Sequence, residues 1–261
     1  MVDIIHWLTR LSTGLIFSVV EIVFVGAVVL APLLFHRMTR RLDMEEHAAG
    51  VTEAFKTVIS FTGIVLAFSL VQVQGNFRAA GELAAKEAAA VATVDRALMR
   101  YGDPRMAIIR PEIADYARAI VSDEWRQMPD TGRSEAVDAL YGEASRKARE
   151  IEPATPRQQI IFAELVRGLN EMSDLREARL TSAQMALPDL FWNVVTALFV
   201  LLIVLAGLIT PTLDRALTLG SMIGAIGMLF ALVVVIDQPF EGDAVQPTAM
   251  RHAIAAMASH P

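Results

Sequence analysis

Apolar positions are concentrated in four long stretches, which stand two and two around a polar region. An α-helix of about 20 residues, rising ~1.5 Å per residue, crosses a hydrocarbon core of ~30 Å. The pattern therefore predicts a multi-pass membrane protein with one polar domain inserted between its second and third spans. The apolar stretches are 11–35, 58–73, 190–209 and 217–236, and the polar region is 76–187.

The second apolar stretch is shorter and less apolar than the other three. Its small and polar residues Ser60, Gly63 and Ala67 fall at helical spacing on one face. A helix of this kind prefers protein neighbours or a water-filled cavity to lipid. Two interpretations stay open at this point: a tightly packed helix face, or a helix that lines a pore.

The polar region predicts helices throughout. The segment 74–101 is rich in Ala, Glu, Lys and Leu and contains no Pro, so it is expected to continue the second span until Gly102. An apolar stripe that runs from Ile113 to about Met128 predicts a helix with Pro111 as its first residue. The segments 134–150 and 157–185 predict two more helices.

The predicted fold class is all-α: a membrane protein with four transmembrane helices and a helical extramembrane domain inserted between helices 2 and 3. No strand pattern and no internal repeat compete with this assignment. The predicted divisions are 1–75 for transmembrane helices 1 and 2, 76–187 for the extramembrane domain, 188–236 for transmembrane helices 3 and 4, and 237–261 for a C-terminal tail.

Composition excludes several kinds of protein. Cysteine is absent, so disulfides, thiolate nucleophiles and thiolate metal sites are excluded. The five histidines do not pair at helical spacing, and no phosphate-binding loop or Ser/His/Asp pattern occurs, so we predict that the protein is not an enzyme. The net charge is −6 without a long basic run, which predicts no nucleic-acid partner. The expected partners are membrane lipid and inorganic ions.

The orientation of the spans stays open. Arg37, Arg40 and Arg41 cluster after the first span and favour a cytosolic first loop. Lys and Arg residues near the span ends on the opposite side are about as numerous, and long loops count little in this rule. The spans therefore predict a multi-pass protein of the cell membrane without fixing its direction.

Glu21 is an ionisable residue within the first apolar stretch. A charge at membrane depth is costly, so such a residue is a candidate for function. Three interpretations stay open for it. It could face a pore, bind a cation or move protons; it could form a structural hydrogen bond between helices; or it could lie at the membrane interface.

Other polar clusters have simpler interpretations. Asp123 and Glu124 are interpreted as a helix surface beside a core residue, Trp125, because no basic or nucleophilic residue stands at a spacing that would indicate a catalytic site. Trp192 is expected to be an interfacial anchor. The small residues Ser221, Gly224 and Gly227 share one face of the fourth span and predict close helix contact.

An acidic turn follows the fourth span. Its carboxylates stand close together on a backbone bent by Pro and Gly, and clustered oxygens of this kind can bind a hard cation such as Ca²⁺. They are equally compatible with a solvated loop that caps neighbouring helix N-termini. The candidate metal ligands are Asp237, Glu241 and Asp243.

Several segments together resemble the bestrophins, a family of ion channels, and more closely a bacterial family of bestrophin-like membrane proteins. The second span and its extension are similar to the corresponding bestrophin helix, and the acidic turn is similar to the family's Asp-Pro-Phe-Gly turn. The resembling positions are Leu66-Ala67-Phe68, Gly75-Asn76-Phe77-Arg78, Glu82 and Glu87 in the helix, Tyr116, Glu124 and Trp125 in the domain, and Asp237-Gln238-Pro239-Phe240-Glu241-Gly242-Asp243 at the exit.

The resemblance implies a homopentamer around a central pore in the bacterial inner membrane. Bestrophins form their pore neck from apolar residues one turn apart on the second span, which correspond here to Ser60, Ile64 and Phe68. The sequence departs from the family at Ser60, which is polar, so at most two apolar rings remain. Animal bestrophins bind Ca²⁺ at the acidic turn, but the long acidic run is missing here. The family also has its helical domain in the cytosol.

Three functions follow from these features. The first is an oligomeric ion channel with the second span as its pore lining and with its ion selectivity open. The alternative is a non-conducting membrane scaffold or sensor whose helical domain binds a partner. A secondary transporter that uses Glu21 ranks last, because spans 1–2 and 3–4 show none of the similarity that inverted repeats produce.

Overall fold

The computed structural model describes residues 12–39, 48–128, 132–209, 212–237, 239–240 and 245–259. Within these ranges every regular element is helical, so the all-α prediction is confirmed. Arg40 and Arg41, which bear on orientation, lie outside the described residues. The helices are α1 Thr13–Thr39, α2 Ala48–Tyr101, α3 Pro104–Ala119, a π-helical turn Ile120–Glu124, α4 Trp125–Gln127, α5 Glu135–Arg149, α6 Pro156–Ala183, α7 Asp189–Gly207, α8 Leu213–Asp237 and α9 Thr248–Ser259.

Four of the described helices are long and apolar enough to cross a membrane: α1, α2, α7 and α8. This confirms the four predicted spans. The second span is part of a single helix of 54 residues, which runs from Ala48 to Tyr101 without interruption. The predicted continuation of the span through 74–101 is therefore correct.

The chain separates into two compact units. The first contains Met1–Gly75 and Ala186–Gln238, and the second contains Asn76–Met185 and Pro239–Pro261. The boundary at Gly75 falls inside α2, so both units use this helix. The segment expected to be a C-terminal tail contains α9, which packs on α3 within the second unit.

The core of the first unit joins α1 to both α7 and α8. Phe24 of α1 stacks on Phe199 of α7 at 4.0 Å between ring centroids, and Phe230 of α8 meets both rings. Trp192 is buried and packs edge-on against Phe230 at 5.8 Å. The expectation that Trp192 is an interfacial anchor is therefore wrong, because its indole fills the aromatic core instead.

Local signals explain where the helices of the second unit begin. Gly102 has φ +77, a left-handed conformation that ends α2. Asp103 accepts a hydrogen bond from the Arg105 backbone N–H at 2.8 Å and caps α3, with Pro104 in its first turn. Pro111 therefore lies inside α3 rather than at its start, which corrects the predicted beginning of this helix.

Candidate functional site

The α2 helix has two different faces within the first unit. One face is buried against the unit and includes Phe55, Thr62 and Leu66, none of which is exposed. The opposite face is open, with Ile64 at 55% and Phe68 at 75% exposure. A large apolar side chain that stays uncovered in one copy of the chain is available to lipid, to another copy or to a pore.

The three residues predicted to line a pore lie on this open face. Ser60, Ile64 and Phe68 are spaced four residues apart, and all three are exposed. The Ser60 hydroxyl donates to the backbone carbonyl of Lys56 at 2.8 Å, so its proton is used within the helix. These three positions are thus brought to one helix face, while their role as a pore lining stays a prediction.

Gly63 belongs to a different face from Ser60. A Cβ at Gly63 would lie 3.3 Å from Cδ1 of Ile226, so this glycine allows α2 to approach α8 closely. The interpretation of small residues as helix packing therefore applies to Gly63, whereas Ser60 and Ala67 are exposed. The packing interpretation of the second span is thus correct for Gly63, and the pore-lining interpretation stays a prediction.

Glu21 lies against α8. A Cβ at Gly224 would lie 3.2 Å from Glu21 Oε2, and a Cβ at Gly227 would lie 3.1 Å from Glu21 Oε1. The Oε1 atom is buried and has no hydrogen-bond partner in the described part of the chain. Gly224 and Gly227 of the predicted small face therefore make their close contact with a carboxylate of α1, whereas Ser221 is exposed. Glu21 is not grouped with the predicted pore residues.

The predicted cation site is only partly within the described residues. Asp237 is buried, and its Oδ1 accepts from the Leu187 backbone N–H at 2.8 Å, which ties the end of α8 to the segment before α7. Glu241 and Asp243 lie outside the described residues. Among the residues that are described, no group of three His, Cys, Asp or Glu side chains could hold a metal ion, and Ca²⁺ binding stays a prediction.

A buried ionic network occupies the centre of the second unit. Arg179 donates from Nε to Glu87 at 2.6 Å and from Nη2 to Glu124 at 2.5 Å. Arg176 donates from Nε to both oxygens of Glu124, at 3.1 and 3.0 Å, and from Nη1 to Asp138 at 2.5 Å. The side chains of Glu87, Glu124 and Arg179 have no exposed surface. The network therefore joins α2, the π-helical turn, α5 and α6.

Charge balance makes this network tolerable in the interior. Burial by itself raises the pKa of Glu124, but hydrogen bonds and charges from Arg176 and Arg179 outweigh it and hold that pKa below its ordinary value. Burial lowers the pKa of Arg179, and the opposing carboxylates of Glu87 and Glu124 more than compensate. Glu124 is therefore ionised, and both of its oxygens are hydrogen-bonded to arginines, which suits a structural role rather than acid–base chemistry.

The interpretation of Glu124 as a helix surface is wrong. Glu124 is the last residue of the π-helical turn, and both Glu124 and its neighbour Trp125 are buried. The signal was present in the sequence: Glu87, Glu124 and the two arginines each stand at a position of an otherwise apolar stripe. The stripes are Ala80, Ala84, Glu87, Val91 and Val94 on α2, Ile113, Ala117, Ile120 and Glu124 on α3 and the turn, and Leu165, Leu169, Met172, Arg176 and Arg179 on α6.

Trp125 joins the network to the acidic turn. Its Nε1–H donates to the carbonyl of Val245 at 3.2 Å, and Phe240 packs edge-on against its ring at 5.4 Å between centroids. The guanidinium of Arg179 lies 5.3 Å from the ring centroid. The prediction of a core tryptophan is correct, and Phe240 of the acidic turn contributes to the same core.

Comparisons with known proteins agree with this architecture. A family model described as Bestrophin-like domain matches residues 22–250. A crystal structure of a point variant of a bacterial bestrophin homologue from Klebsiella pneumoniae is similar, with a TM-score of 0.69, 11% identity and coverage of 93% of this chain and 99% of that chain. A crystal structure of a point variant of a protein described as a membrane protein is also similar. Its TM-score is 0.69 at 12% identity, and the match covers 92% of this chain and 97% of that chain. No curated protein sequence matches.

At these identities the solved structures show the fold, and the family model shows the relationship in sequence. Together they confirm the resemblance that the second span, the Tyr116–Trp125 region and the acidic turn predict. They also agree with a multi-pass membrane protein.

Proposed function

The chain belongs to the bestrophin-like family, and we propose that it forms an oligomeric ion channel whose pore is lined by α2. Family and fold support a bestrophin-type channel in general. The subunit number follows the resemblance, so the proposed assembly is a homopentamer in the bacterial inner membrane. Inorganic ions and membrane lipid are its proposed partners, and we propose no enzymatic activity.

One observation carries the proposal: α2 is an unbroken helix with one buried and one open face, and the open face carries Ser60, Ile64 and Phe68. The buried face secures the helix to the first unit through fully covered side chains such as Phe55 and Leu66. A helix that is fixed on one side and exposed on the other can present its open face to a symmetry axis without repacking.

The chemistry of that face favours an apolar constriction. Ile64 and Phe68 would form two consecutive apolar rings, and a narrow apolar ring resists ion passage by excluding water. Ser60 would add a ring of hydroxyls one turn away, each with its proton donated to the Lys56 carbonyl and its lone pairs available. Ions would therefore meet a polar ring on one side of a short apolar neck.

The test compares two exposed isoleucines in planar bilayers. Ile64→Ala shortens a side chain of the proposed neck, so we expect a larger current because the constriction widens and wets more easily. Ile22→Ala is the matched control: Ile22 is 72% exposed but lies on α1 rather than on α2, and the current should stay at the wild-type level. Native mass spectrometry of the same preparations gives the subunit number.

Two results would contradict the proposal. Silent bilayers with a well-folded wild-type oligomer would favour the non-conducting scaffold. Equal effects of Ile64→Ala and Ile22→Ala would remove α2 as the pore lining.

A further inference from the structure

The side of α2 that forms the open face continues further along the helix, where it carries charged instead of apolar residues. Eighteen residues are about five turns at 3.6 residues per turn, so positions that far apart share one side of a helix. Ser60, Ile64 and Phe68 are followed at this distance by the exposed residues Arg78, Glu82 and Lys86. An apolar stretch of this face is thus succeeded by a charged stretch of the same face.

Arg78 is the first charged residue after Phe68 on α2, because 69–77 contains none. In the described part of the chain its guanidinium makes no hydrogen bond and no ion pair. The next two charges differ from it in this respect, because Lys86 lies 3.8 Å from Glu82 and the two largely cancel. Arg78 therefore supplies the uncompensated charge of this stretch.

Small residues surround Arg78 on this side of the helix. Gly75 is exposed, and a Cβ there would meet nothing within 4 Å. Ala79 is exposed as well. Arg78 itself is exposed, so the neighbouring residues do not cover its side chain.

We propose that Arg78 is a specificity-determining residue of the channel, and this inference rests on the proposed function. Symmetric copies of α2 around an axis would place a ring of guanidiniums about 15 Å beyond the Phe68 ring, at ~1.5 Å per residue. Clustered charge of one sign raises the local concentration of counter-ions and repels ions of like sign. The ring therefore favours anions over cations at this mouth of the neck.

The experiment measures the anion-to-cation permeability ratio from the reversal potential in a KCl gradient. Arg78→Gln should lower the ratio, and Arg78→Glu should lower it by roughly threefold or more, because a ring of unit charges is replaced by its opposite. Arg78→Lys keeps the charge and should stay near wild type. Arg167→Glu is the matched control, since Arg167 is also an exposed arginine without a partner among the described residues, but lies on α6.

A second variant separates charge from folding. The chain has no cysteine, so Arg78→Cys carries the only thiol. Reaction with a cationic thiol reagent should restore the wild-type ratio, and an anionic reagent should reduce the ratio further, on the same folded protein.

The outcomes distinguish the inference from the function on which it rests. An Arg78→Glu channel that conducts with the wild-type ratio, or a wild-type channel that prefers cations, overturns the role of Arg78 and leaves the channel standing. Silent wild-type protein overturns the proposed function, and the inference falls with it.

Discussion

The carboxylate of Glu21 is accommodated because α8 presents glycines to it. Gly224 and Gly227 stand one turn apart, and a Cβ on either would approach a Glu21 oxygen to within 3.2 Å. The two glycines therefore make room for a polar group between two membrane helices. The small-residue face of this span was predictable from its spacing; that it receives a carboxylate was not, because spacing on one helix does not reveal what the neighbouring helix presents.

We expect Gly227→Ala to lower the thermal stability of the protein in detergent. The added methyl would meet Glu21 Oε1 at 3.1 Å, and overpacking of this kind costs about 1–3 kcal/mol. Gly26→Ala is the control, since a Cβ there meets nothing within 4 Å, and its melting temperature should be unchanged or higher. Glu21→Ala should relieve the clash, so the double variant should be more stable than the sum of the two single changes predicts. Strict additivity would show that the carboxylate is not the atom group in contact.

At the scale of the elements, the ionic network connects four segments of the second unit. Its two central carboxylates, Glu87 and Glu124, are matched by Arg176 and Arg179. Removing one member leaves a buried charge without its partner, which costs about 3–5 kcal/mol. The network therefore makes the packing of α2, the π-helical turn and α6 mutually dependent.

Glu124 contributes a dependence on acid with a definite sign. The folded pKa of Glu124 is below its unfolded value of about 4.3, so its contribution to stability is present above that pH and is lost as the pH falls through the folded pKa. We expect Glu124→Gln to lower the melting temperature near pH 7 and to flatten its decline between about pH 5 and pH 3. Glu150→Gln is the control, because the Arg146–Glu150 pair is more than half exposed and contributes at most about 1 kcal/mol. A Glu124→Gln variant as stable as wild type at neutral pH would show that this ion pair does not stabilise the unit.

The sequence predicted the helices of this unit better than the network inside it. Helical periodicity defines α5 and α6 nearly to their ends, because each follows a 3.6-residue stripe, and it defines the C-terminal end of α2. The beginning of α2 at Ala48 was missed, because the apolar stretch that defines this span starts only at 58. The network was missed because each charged residue was judged by its neighbours in sequence, and Glu124 stands beside the acidic Asp123. A charged residue in an apolar stripe indicates a buried ion pair only when another helix carries the opposite charge in its own apolar stripe. The α6 helix does so with Arg176 and Arg179.

At the scale of the whole molecule, one helix takes part in both compact units. The residues of α2 before Gly75 carry the proposed neck at Ile64 and Phe68, and the residues after it carry Arg78 and the buried Glu87. The four spans and the family were predictable because they depend on hydropathy and on motifs in a fixed order. The number of subunits was not, because it depends on how an exposed face meets another copy.

Cysteine accessibility tests most directly whether the open face of α2 lines a water-filled pore. The chain has no cysteine, so Phe68→Cys, Leu66→Cys and Ile22→Cys each carry one thiol. A charged, water-soluble thiol reagent applied during bilayer recording should reduce the current of Phe68→Cys only, because Leu66 is buried and Ile22 is exposed on a different helix. An unchanged Phe68→Cys current, or inhibition of Ile22→Cys instead, would contradict a pore lined by α2.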